Sequence, residues 1–119
     1  MILTLYCETT FDASHKLTGY NGKCSRLHGH TWKVSVWVKG DENQLDDVGI
    51  LWDFGNLKDV VKELDHCYLN DILKENPTSE NITLHIYKKL KSSYSKLDFK
   101  IRVYENAVGS IKYCESGDF

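Results

Sequence analysis

His28 and His30 stand one residue apart in a stretch of alternating polarity, so both imidazoles leave the same face of a strand, about 7 Å apart at the backbone. Two side chains can close that span onto one ion. Gly29 between them leaves the opposite face bare, where a neighbour can approach. His15 ends the run Phe11-Asp12-Ala13-Ser14-His15, and an antiparallel pairing would carry it to the start of the His28 strand. Three neutral imidazoles with a fourth position open are the arrangement of catalytic zinc, whereas closed structural sites use four protein ligands, often cysteines. The same spacing also fits histidines that only hydrogen-bond on a strand.

Three further positions carry chemistry. Cys24 lies four residues before His28 in a glycine-flanked loop. It reads as a small buried group, as a fourth ligand, or as a thiol whose ionised fraction is raised by Lys23, Arg26 and a nearby cation. Asp65-His66 follows an amphipathic run, where the carboxylate can orient an imidazole that titrates near neutrality, or where the pair can simply end a helix. Glu105 occupies the apolar parity of a late strand, a costly place for a carboxylate without a partner. A ligand with two adjacent N–H donors, such as a 2-amino-4-oxo heterocycle, would satisfy it; so would water at a strand edge.

The elements that must position these residues follow from periodicity. Residues 2–11 alternate as a first strand, 16–27 form a loop, and His28, His30, Trp32, Val34, Val36 and Val38 share one parity of a long second strand. Asp53 is placed to cap a helix of about three turns carrying Leu57, Val60, Val61 and Leu64 on one stripe. Thr78 caps a second helix with Ile82, Ile86 and Leu90. Two strands close the chain, one carrying Phe99, Ile101 and Val103, the other spanning residues 111–114. The order strand, strand, helix, helix, strand, strand predicts an α+β fold, a four-stranded antiparallel sheet with both helices on one face. Trp37 and Tyr104 fall on the other face, which predicts that further copies of the chain cover it.

Composition narrows the function classes. The 119 residues, 41% hydrophobic and 27% charged, predict one domain over 1–119 rather than a disordered chain. Fifteen basic and seventeen acidic residues give a net charge of -2 without a basic stripe, which argues against nucleic acid. Uncharged runs are too short for a membrane span and no basic leader precedes Ile2, so a cytoplasmic location is expected. Four dispersed cysteines argue against a disulfide framework.

Six elements, in order, resemble the 6-pyruvoyl-tetrahydropterin synthase / 6-carboxytetrahydropterin synthase family. They are Phe11-x-Ala13-x-His15, Cys24-Ser25-Arg26-Leu27-His28-Gly29-His30, Asp53-Phe54, Leu64-Asp65-His66 with Leu69-Asn70, Pro77-Thr78-Ser79-Glu80-Asn81, and Glu105. The resemblance implies the tunnelling fold (T-fold), in which such subunits oligomerise into a barrel, commonly a homohexamer of two stacked trimers. It implies zinc (Zn2+) on His15, His28 and His30, proton transfer by Cys24, Asp65 and His66, and a pterin ring anchored by Glu105 against a wall of Thr78, Ser79 and Glu80. Three residues between Cys24 and His28 match the carboxytetrahydropterin branch of queuosine and deazapurine biosynthesis. That branch converts 7,8-dihydroneopterin triphosphate to 6-carboxytetrahydropterin, acetaldehyde and triphosphate. A 6-pyruvoyl-tetrahydropterin synthase or related side-chain lyase is the alternative, and a non-enzymatic zinc module a third reading. Asn106-Ala107-Val108-Gly109 departs from the Thr-Ala-Gly turn usual in that family.

Overall fold

A computed structural model describes residues Met1–Phe119. Two 14-residue strands, β1 (Ile2–His15) and β2 (His28–Asp41), pair antiparallel along their whole length, from Ile2 opposite Asp41 to His15 opposite His28. Helix α1 (Gly55–Val61) follows and tightens into a 3-10 turn over Lys62–Leu64. Then come β3 (Cys67–Tyr68), α2 (Ser79–Ser93), β4 (Asp98–Tyr104) and β5 (Tyr113–Gly117). The sheet order is β3-β1-β2-β4-β5.

The sheet therefore has five strands, not the four expected. The additional one is two residues long and runs parallel to β1, with Ala13 opposite Cys67 and Ser14 opposite Tyr68. A pair of residues carries no periodicity, so nothing in the sequence could announce it. The first strand reaches His15 rather than residue 11, and the last begins at Tyr113 rather than residue 111. Helix α1 is shorter than three turns; its N-cap position is Phe54, and Asp53 instead accepts the Gly55 N–H at 2.8 Å.

One face of the sheet holds the core. Trp32, Val34, Val36 and Val38 of β2 are fully buried with Phe99, Ile101 and Val103 of β4, under Leu57 and Val61 of α1 and Ile82, Ile86 and Leu90 of α2. Each such aliphatic side chain contributes about 1.5–3 kcal/mol when removed from water. Thr78 caps α2 as expected, its hydroxyl accepting the Asn81 N–H at 3.1 Å. The opposite face is aromatic and cationic. Lys100 Nζ lies 4.4 Å from the centre of the Trp37 ring, and Lys33 Nζ lies 4.4 Å from that of Tyr104. No helix is long and apolar enough to cross a membrane, and all four cysteines are free thiols.

Candidate metal centre

The β1–β2 register sets His15 directly across from His28, and the two-residue strand period puts His30 on the same face. The three rings meet edge to face with centroids 4.5, 4.8 and 5.2 Å apart, and the buried Trp32 ring lies beneath His15 and His30. Each ring is fixed through Nδ1. His15 Nδ1 donates to Pro77 O at 2.8 Å, His28 Nδ1 to Arg26 O at 2.7 Å, and His30 Nδ1 lies 3.1 Å from Asn106 Oδ1. Carbonyl oxygens only accept, so Nδ1 carries the proton, and Nε2, which bears a bare lone pair when the ring is neutral, faces inward.

Three lone pairs now face one another. His15 Nε2 and His28 Nε2 are 2.9 Å apart, and His30 Nε2 is buried without an aligned hydrogen-bond partner. Glu105, one residue beyond β4, brings Oε1 to 3.1 Å from His30 Nε2. Bare nitrogens and a carboxylate at these separations repel unless a proton or cation lies among them. Burial holds the His15 pKa below the ordinary histidine value; the Pro77 bond opposes this and the neighbouring His28 and His30 reinforce it. A neutral His15 is the ligand form. The donor set, three imidazole nitrogens and a carboxylate oxygen all within 4.8 Å of one another, fits a divalent metal ion. Sequence reasoning gave Glu105 only a ring-anchoring role; the structure also brings it into the histidine cluster.

Asp65 and His66 lie elsewhere. They group with Asp12, an even-numbered β1 residue on the sheet face opposite the histidines. His66 is the one non-glycine residue with positive φ, at 57°, a conformation that costs energy and persists only where its surroundings enforce it. The backbone of Asp12 supplies that enforcement: Asp12 O accepts the His66 N–H at 2.6 Å, and Asp12 N–H donates to Asp65 Oδ1 at 2.9 Å. The same N–H, with His66 Nδ1 at 3.0 Å, holds the Asp65 carboxyl below the usual carboxylate range. The His66 ring, 79% exposed, borders a cleft of about 630 Å³ whose floor includes Gly29. Cys24 belongs to neither group. The donor group around the three histidines thus closes with the Glu105 carboxylate and without the Cys24 thiol. Thr78 and Ser79 are half-buried and Glu80 exposed at the start of α2, next to the Pro77 oxygen that holds His15.

Residues 4–116 match the family model described as 6-pyruvoyl tetrahydropterin synthase. The chain belongs to this family. All ten residues singled out from the sequence fall inside the matched span of this family. A Synechocystis protein named 6-carboxy-5,6,7,8-tetrahydropterin synthase is 37% identical over 117 residues, covering 92% of this chain and 91% of its own. A Pyrococcus furiosus protein named dihydroneopterin monophosphate aldolase is 40% identical over 90 residues, covering 72% and 73%. The solved structure of Caenorhabditis elegans 6-pyruvoyl tetrahydropterin synthase superposes with a TM-score of 0.74 at 26% identity, over 98% of this chain and 96% of that one. The α+β architecture is thus that of the tunnelling fold.

The Nδ1 acceptors escaped sequence reasoning. Two are main-chain oxygens, which leave no mark in a sequence, and the third, Asn106, lay in the turn recognised only as a departure from the family.

Proposed function

We propose that the chain is a zinc-dependent pterin side-chain lyase, a 6-carboxytetrahydropterin synthase acting on 7,8-dihydroneopterin triphosphate. The observation that carries this reading is the convergence of three Nε2 lone pairs, each locked by its own Nδ1 acceptor. The name of the Synechocystis relative supports the product. His15, His28 and His30 would hold the ion, which when bound supplies Lewis-acid polarisation of substrate oxygens. Cys24, as thiolate, removes a carbon-bound proton, and His66, oriented by Asp65, gives or takes a proton elsewhere on the side chain. Glu105 accepts the ring's paired N–H donors, with Thr78, Ser79 and Glu80 along the pocket wall.

These roles require more than one copy of the chain, because the Asp65–His66 pair lies on the far face from the histidines. The sheet has two free edges: β1 from residue 2 to 11, beyond the reach of β3 and the Asp65–His66 turn, and β5 at the other side. A free edge is a template for another strand, and pairing one edge type with the other in successive copies closes a ring. We place the protein as a cytoplasmic homohexamer of two such trimeric rings, in queuosine or related deazapurine biosynthesis.

A second reading keeps the fold and site but changes the bond broken, towards 6-pyruvoyl-tetrahydropterin or the retro-aldol product of a monophosphate; the Pyrococcus furiosus relative favours the latter. Incubation of zinc-loaded protein with dihydroneopterin triphosphate, followed by identification of every product, decides between them. Release of acetaldehyde, triphosphate and 6-carboxytetrahydropterin is expected. A pyruvoyl product, or turnover of the monophosphate alone, would replace the first reading with the second.

A further inference from the structure

Residues 16–18, which leave the metal centre directly after His15, run as an extended strap between two sets of partners. On one edge Asn70 and Asn76 each meet a single strap residue with both ends of the carboxamide. Asn70 Oδ1 accepts the Lys16 N–H at 3.0 Å while Asn70 Nδ2 donates to Lys16 O at 2.9 Å. Asn76 Oδ1 accepts the Thr18 N–H at 2.9 Å while Asn76 Nδ2 donates to Thr18 O at 2.8 Å. On the other edge the Leu17 N–H donates to Cys24 O at 2.8 Å. This is the alternation of an extended chain, in which residues 16 and 18 turn their polar groups one way and residue 17 the other. A carboxamide has one acceptor and one donor in a plane, so it can replace a missing strand partner. An aspartate has no donor and an alanine has neither group.

The two amides reach Cys24 through the strap. Beyond the Leu17 bond, the Cys24 turn is held by local contacts, Ser25 N–H to Gly22 O and Arg26 N–H to Lys23 O, both at 3.1 Å. The Asn76 anchor is itself fixed, since Asn81 Nδ2 donates to Asn76 O at 2.8 Å, and the adjacent Pro77 O holds His15 Nδ1. One short segment thus grips a metal-ligating ring and, two residues of strap later, the loop that bears the thiol.

We propose that Asn70 and Asn76 are positioning residues that set the Cys24 thiol relative to the metal centre. The proposal rests on the reading of Cys24 as the proton-abstracting base, but its geometric part can be tested without turnover. The variants are Asn70→Ala, Asn76→Ala, the double alanine, and Asn70→Asp and Asn76→Asp, which keep shape and acceptor while losing the donor. Four quantities are read on the zinc-loaded protein: bound metal, amide exchange at residues 16–18, the rate at which iodoacetamide alkylates Cys24 as followed by peptide mass spectrometry, and kcat and KM. Metal should stay bound while exchange at Lys16 and Thr18 quickens, Cys24 alkylation accelerates, and kcat falls with KM nearly unchanged. Misplacing a reacting group by about 1 Å costs on the order of a hundredfold, the loss expected for the double alanine, with the aspartates between it and the unaltered protein. Unchanged exchange and alkylation would overturn the proposal. So would a fall in kcat that appears only together with metal loss, because the amides would then act through Pro77 and His15. If Cys24→Ala kept full turnover, the catalytic reading of Cys24 would fall, while exchange and alkylation would still show whether the amides position it.

Discussion

Asn106 offers a direct handle on the candidate metal centre, because it is the one Nδ1 acceptor that is a side chain. His15 and His28 rest on the main-chain oxygens of Pro77 and Arg26, which substitution cannot remove, whereas His30 rests on Asn106 Oδ1. Asn106→Leu deletes that acceptor while leaving the ligands in place. The freed ring can then rotate or shift its proton to Nε2, where it no longer binds an ion. Outer acceptors of metal-bound histidines are worth about 10–100-fold in affinity. At 3.1 Å the Asn106 bond is the longest of the three and its acceptor is uncharged, which places the expected loss near the lower bound, about tenfold or 1.4 kcal/mol. Asn106→Asp keeps the geometry and makes the acceptor anionic, so affinity should rise instead. Competition against a chromophoric zinc chelator measures both variants, with circular dichroism to confirm the fold. Binding as tight as that of the unaltered protein in both variants would refute the reasoning, since the His30 tautomer would then be set by something other than Asn106.

Four other outcomes are expected. Trp32→Ala empties a fully buried site beneath two of the histidines and should cost about 3–5 kcal/mol in denaturant unfolding, with weaker metal binding. Chelation of the metal should abolish turnover while far-ultraviolet circular dichroism persists, because the core is packed by apolar side chains that need no ion to hold them; unfolding on chelation would make the ion structural. Cys24→Ala should lower kcat by about 10²–10⁴-fold with metal content unchanged, measured by turnover and by metal analysis. Asp118 reports on the C-terminus: burial pushes its carboxyl up, but Tyr87, the Phe99 N–H and Lys91 outweigh this and hold it below the usual range. That stabilisation is complete above the ordinary carboxylate pKa and fades as pH falls through the lowered native value. Asp118→Asn should therefore unfold more easily at neutral pH, with the gap closing in acid below about pH 4.

The cluster of three histidines was legible because its members obey the strand period. His28, His30 and Trp32 share the parity of Val34, Val36 and Val38, and the side chains that pack the core also aim the two imidazoles. His15 could be placed opposite His28 only on the assumption of antiparallel pairing, which the register bears out. Helix α2 was equally readable from its threonine cap and its apolar stripe. The Asp65–His66 pair was not placed, because a two-residue parallel strand and a left-handed histidine decide which face it joins, and neither leaves a pattern in the sequence. Glu105 was read from the parity of β4, yet it lies one residue past the strand, where the chain is free to turn its carboxylate onto His30.

X-ray absorption at the zinc edge of the loaded protein tests the central claim most directly, because nitrogen and sulfur ligands scatter at different distances. Three imidazole nitrogens at about 2.0–2.1 Å with only oxygen completing the shell is the expected result. A sulfur at about 2.3 Å, or fewer than three imidazoles, would contradict an open ion held by His15, His28 and His30.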